Sequence, residues 1–204
     1  MANITFASLV SEILPEVPGC TDTLVIRALR RTAEQYLTDS QEWRVTLDEQ
    51  PLIAGMSEYD VEVPYSYTKA VRIIWAEVDG KRISQVSDGQ QVRSDSNIYC
   101  HLDGYGKTVI VKPEPTQAAK LQLRVALSIL PNTAALTDTV IYGMYDPLLH
   151  GALARLQMMS GQEWSNPQAG AQNEMLFREA VAKARGHANN NGGSAVRKMR
   201  YGGI

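Results

Sequence analysis

Residues 146–159 read DPLLHGALARLQMM, and 160–170 read SGQEWSNPQAG. In the first stretch Leu149, Leu153, Leu156 and Gln157 recur at helical steps, with Ala152 and Met159 beside them, so one face is apolar. The second stretch is a corner. Asn166 suits an N-cap, and Pro167 suits the first helical position, where its missing N–H has no intrahelical partner anyway. A further helix is expected from 167 to 188. Met175, Leu176, Val181 and several alanines should form its buried side, with Phe177 on the edge. Trp164 in the corner is expected to wedge between the two helices as a packing anchor.

Working outward, Phe6, Leu9, Val10, Ile13 and Leu14 share a helical face over 5–14, capped by Thr5 and ended by Pro15. A second helix is expected over 23–38. Ile26, Leu29, Ala33, Tyr36 and Leu37 point inward, while Arg27, Arg30, Arg31 and Glu34 point outward, with Arg30 and Glu34 four apart. The character changes at Trp43. Tyr59, Val61 and Val63 alternate with Glu58, Asp60 and Glu62, the period of a half-buried strand. AVRIIWAEV at 70–78 is rich in β-branched residues, and Asp79-Gly80 marks a hairpin turn. Residues 84–96 are polar and read as a loop or short helix. NIYCHL, KTVIVK and LQLRVALSI give three more strands, and LPNTAALTD leads back to helix.

Runs of helices, then strands, then helices point to an α+β fold. The expected architecture is an antiparallel bundle of N- and C-terminal helices with an inserted small antiparallel β module and an extended C-terminal tail. The divisions are 1–42 for the N-terminal helices, 43–132 for the β module, 133–188 for the C-terminal helical hairpin and 189–204 for the basic tail.

The net charge of -2 conceals an asymmetry. All 22 acids precede residue 180, with 15 of the 20 Lys and Arg, so that part carries 15 − 22 = −7. The remainder carries +5 from Lys183, Arg185, Arg197, Lys198 and Arg200. A basic tail on an acidic body points to a partner for the tail, and the acidic body argues against broad duplex-DNA binding. No apolar run reaches the roughly 20 residues that span a bilayer. MANITFASLV lacks the basic start and apolar stretch of a signal peptide, so a soluble intracellular protein is expected.

Catalytic motifs are weak. DGYGKT at 103–108 ends like a phosphate-binding loop, but His101 stands where that motif needs glycine, and a strand follows in place of a helix. It reads as a hairpin turn. His101, His150 and His187 fall in separate segments without metal-ligand spacing, and His150 is expected to be a hydrogen-bonded core residue. Cys20 and Cys100 form no CxxC and read as small buried hydrophobes. No catalytic residue, metal or cofactor is expected, and an enzyme is the third reading, which a deep pocket holding two carboxylates with unusual pKa values would revive. Tyr59, Tyr65, Tyr67, Trp75, Tyr99 and Tyr105 fall on the β module, where they could form a stacking platform or simply pack.

The order of pieces resembles the head-to-tail adaptor (head-completion) proteins of short-tailed bacteriophages. The likeness is carried by the N-terminal helices ending in Trp43, by YDVEVP…AVRIIWAEVDG, by KPEP at 112–115 followed by LQLRVALSILP, and by the helix pair joined through EWSNPQAG. It covers nearly the whole chain.

The resemblance implies a non-enzymatic virion protein of the neck, assembled from the host cytoplasm. It would bind the portal, carry the tail nozzle, and form a twelvefold ring of self-contacts around a channel that genomic DNA crosses without sequence-specific binding. No membrane is involved. In the family the C-terminal segment extends along the portal. Here Val196, Arg197, Lys198, Met199, Arg200, Tyr201 and Ile204 would bind it, and residues from Asn189 onward would stay disordered until they do. The alternative is another neck or tail component, or a carbohydrate-binding accessory with Trp75 and Tyr65 exposed on one sheet face.

Overall fold

The computed structural model describes residues 3–86 and 98–190. Its centre is a curled, mixed eight-stranded sheet that forms half a barrel. This corrects the expected fold class: the sheet is not a small antiparallel module carried by a helical bundle.

The strands are β1 (Asn3–Thr5), β2 (Arg44–Thr46), β3 (Gln50–Leu52), β4 (Glu58–Asp60), β5 (Thr68–Val78), β6 (Lys81–Gln85), β7 (Tyr99–Leu102), β8 (Thr108–Lys112), β9 (Ala119–Ile129) and β10 (Ala135–Thr137). The large sheet runs β2-β9-β5-β6-β7-β8-β4, and β3 also pairs with β9. β6 and β7 run parallel, while the other pairs are antiparallel.

The physical reason for the correction lies in β5 and β9. Each is eleven residues long, and they pair along their length with register shifts between Ala70 and Arg72 and between Ile73 and Trp75. Such irregularities bend a strand and increase its twist, which curls the sheet about its own core. That core contains Leu52, Tyr59, Ile73, Cys100, Val109, Val111, Leu121 and Leu123. Short-range alternation marks each strand but not how many strands one long partner recruits; β9 alone pairs with β2, β3 and β5.

The helices are α1 (Val10–Ile13), α2 (Asp22–Ser40), α3 (Asp138–Gly143), α4 (Tyr145–Gln157) and α5 (Pro167–Asn189). The expected continuous helix over 5–14 is instead a 3-10 turn, α1 and a second 3-10 turn. β1 precedes it and pairs with β10, inside the stretch expected to be a plain linker. The expectation for residues 84–96 falls mostly on residues outside the described set.

A second core gathers α2, α4 and α5 with Phe6, Ile13, Ile129 and Leu136. Gly151 lets α4 approach its neighbours: a Cβ there would lie 2.4 Å from Thr32 Cγ2 and 2.8 Å from Phe177 Cδ2. Phe177, expected at the edge of α5, is 2% exposed at the centre of this core, while Met175, expected inside, is 62% exposed. The many alanines on α5 leave its apolar stripe poorly marked, so tertiary packing decides which face turns inward. Trp43 packs against both cores and stacks near Tyr65, with centroids 5.3 Å apart. Side chains also tie α2 to the sheet. Glu34 pairs with Lys69 at 3.0 Å rather than with Arg30, whose Nε donates to the Thr133 carbonyl at 2.7 Å.

Candidate functional site

The end of α5 is the place from which the C-terminal segment departs. Arg44 fixes that end. Its Nε donates to the Gln41 carbonyl at 2.8 Å, one terminal nitrogen donates to the Ala188 carbonyl at 2.5 Å, and the other donates to Asn189 Oδ1 at 3.1 Å. A cation at the C-terminus of a helix is favoured by the partial negative charge of its last carbonyls. The arrangement clamps the last turn of α5 to β2 and to the end of α2. The tail residues Val196, Arg197, Lys198, Met199, Arg200, Tyr201 and Ile204 lie outside the described residues.

A groove of about 480 Å³ runs between α4, α5 and the end of α2, lined by Glu42, Asp146, His150, Glu179, Lys183 and His187 among others. Tyr36 closes its floor, its hydroxyl donating to Glu42 Oε2 at 2.9 Å. Burial, then the Glu42 hydrogen bond and charge, raise the Tyr36 pKa above the ordinary phenol value. His150 meets Asn173 Oδ1 through Nδ1 at 2.9 Å, and Asn173 Nδ2 donates to Gln157 Oε1 at 3.0 Å. His150 is therefore a half-buried link between α4 and α5: it is hydrogen-bonded as expected, but it lines the groove and is not a core residue. Among the described residues no cluster of His, Cys, Asp and Glu has the arrangement of a metal site, and no helix is long and apolar enough to cross a membrane.

DGYGKT is the turn between β7 and β8. The carboxylate of Asp103 accepts from Lys107 N at 2.8 Å and Thr108 N at 3.0 Å. Burial pushes this carboxyl up, but the backbone N–H groups of residues 105–108 outweigh it and hold the pKa below its usual value. Gly106 has φ +72°, and a Cβ there would lie 1.9 Å from the Ala70 carbonyl oxygen, so the turn is built against β5. These N–H groups serve their own aspartate, which leaves this loop no cradle for a phosphate. Both cysteines are buried and free, and burial raises the Cys100 thiol to about 12. Trp164 packs beside the helical core, with its indole nitrogen buried and unpartnered among the described residues.

The aromatic groups of the sheet are engaged with neighbours. Tyr65 lies between Trp43 and Tyr67, at 5.3 and 5.7 Å between centroids, and Arg82 lies 4.4 Å over the Trp75 ring. Tyr105, on the β7–β8 turn, is 82% exposed. Arg44 is the side chain of this candidate site that sequence reasoning missed; an arginine directly after Trp43, at the start of a short strand, carries no local signal. No family model matches the chain, and no curated protein is significantly similar to it.

Proposed function

We propose that this chain is a structural head-to-tail adaptor of a phage virion, binding the portal ring through its C-terminal segment and carrying the tail nozzle. The observation that carries this reading is the Arg44 clamp, which gives the basic segment after Asn190 a fixed point of departure. A segment that folds on its partner can cover a wide surface, at an ordering cost of about 2–5 kcal/mol. Repetition around a ring would multiply each weak contact.

Two further features support the reading. Large apolar side chains are exposed on the helices and beside them at Tyr142, Met158 and Met175, and on loops of the sheet at Ile53, Met56 and Tyr105. A connector needs surfaces for two partners, and these lie on two different parts of the fold. The engagement of Tyr65 and Trp75 with their neighbours leaves little aromatic face for a sugar ring, which favours the connector over a carbohydrate-binding accessory.

The test is truncation after Asn190. Portal binding should weaken by at least about tenfold, while the thermal midpoint and circular dichroism stay at full-length values. Unchanged binding would remove the tail from the account.

A further inference from the structure

Four arginines from adjacent strands converge on one depression of the large sheet: Arg44 from β2, Arg124 from β9, Arg72 from β5 and Arg82 from β6. The depression holds about 380 Å³, and Gln41, Trp75 and Asn189 complete its wall. Leu123 and Val125 on either side of Arg124 belong to the sheet's core, so Arg124 faces outward by the alternation of a strand. Arg82 is engaged locally, pairing with Glu77 at 2.6 Å and lying over Trp75.

The other three arginines have no carboxylate partner among the described residues. Arg44 is held by carbonyl oxygens, Arg72 donates to Gln41 Oε1 at 3.1 Å, and Arg124 Nε is buried without a partner. Burial, then the charges of Arg124 and Arg72, lower the Arg44 pKa from its usual value. Like charges gathered in a depression repel, and an anion supplied from outside relieves that repulsion.

The complementary surface is on the same sheet. Glu58 and Asp60 on β4, and Glu62 just beyond, are exposed and alternate with buried Tyr59 and Val61. Strand geometry spaces successive members of this row roughly 6–7 Å apart. None of the three makes an ion pair among the described residues. β4 ends the strand order opposite β2, so the acidic row and the arginine pocket lie toward opposite ends of the sheet.

We propose that the pocket of Arg44, Arg72 and Arg124 receives the Glu58, Asp60 and Glu62 row of a second copy, joining copies head to tail. Heterologous contacts of this kind close into rings when the rotation allows. The inference rests on the ring element of the proposed function and identifies the surfaces that would make it. Guanidinium groups match planar carboxylates through paired hydrogen bonds. A nucleic-acid backbone fits less well, because residues 1–179 carry -7 overall and Arg82 already covers the Trp75 ring on which a base would stack.

The experiment is light scattering over a range of concentration at low ionic strength. It compares wild type, Arg72→Glu, the double variant Glu58→Arg/Asp60→Arg, and an equal mixture of the two variants. All three substituted side chains are exposed, and circular dichroism confirms that each variant is folded. Arg44 is left intact because it clamps α5. Wild type should self-associate, each variant should associate at least about tenfold more weakly, and the mixture should form mixed pairs, because the intact pocket of the double variant meets the intact acidic row of Arg72→Glu. Variants that associate like wild type, or a mixture that forms no mixed pairs, overturn the contact. So does a wild type that binds a short DNA duplex through Arg72 and does not self-associate. A wild type that is monomeric throughout also overturns the contact, yet leaves the adaptor reading to be decided by portal binding.

Discussion

Replacing Gly151 by alanine should destabilise the protein, although the same change in an ordinary helix interior stabilises by roughly 1 kcal/mol. Gly151 lies where α4 crosses α2 and α5. The added Cβ would lie 2.4 Å from Thr32 Cγ2 and 2.8 Å from Phe177 Cδ2. Neither neighbour has room to retreat. Thr32 is fully buried and β-branched, so its rotamer is stiff, and Phe177 is 2% exposed. Overpacking of this kind costs about 1–3 kcal/mol, and contacts this short put it at the upper end, so the net loss after the gain in helix propensity is about 2 kcal/mol.

Thr32→Ser removes the methyl that the new Cβ would strike and keeps the hydroxyl that Arg155 Nε contacts at 3.3 Å. Alone it should cost about 0.8 kcal/mol for the lost methyl. Combined with Gly151→Ala it should recover about 1 kcal/mol relative to the sum of the single changes. Urea unfolding followed by far-ultraviolet circular dichroism reads both effects, provided the slopes agree. A Gly151→Ala protein as stable as wild type, or a strictly additive double variant, would refute the argument from close helix contact.

Two further outcomes follow from ionisable groups. The Asp103 pKa is depressed in the folded state, so its contribution is present above the unfolded value near 3.9 and is lost as pH falls through the folded pKa. Asp103→Asn should therefore cost about 1 kcal/mol at pH 7 and much less at pH 3, read as the gap between urea midpoints; a gap independent of pH would contradict the assignment. Cys100 is 0% exposed with its thiol raised to about 12, so at pH 8 it should resist a thiol reagent in the native protein and react at once in urea; rapid native labelling would show that the sheet core opens.

Much of the local structure is legible in the residues. Asn166 caps α5 by accepting from Ala169 N, with Pro167 in its first turn. Asp79 and Gly80 take the positive φ angles that their hairpin requires. DGYGKT turns between β7 and β8 as its glycines and following strand indicate. What is not legible is long-range pairing. The parallel contact of Ser84 and Gln85 with Tyr99 and Cys100 joins strands across a polar stretch, and the hydrophobic pattern carries no sign of that pairing. β1 is three residues long and exists through its pairing with Ala135–Thr137. The curl of the sheet depends on irregularities between β5 and β9 that alternation cannot reveal. At the candidate site, the charge asymmetry between body and tail is visible in the sequence, but the Arg44 clamp joins residues more than 140 positions apart. The convergence of Arg44, Arg72 and Arg124 likewise depends on a strand order that only the folded sheet defines.

The central proposal is that this chain is a portal-bound connector, and mass by light scattering tests it most directly, on the chain mixed with a phage portal ring. The account predicts a discrete complex whose mass corresponds to a fixed number of copies per portal ring. A mixture that separates into free chain and free portal at every concentration would contradict it.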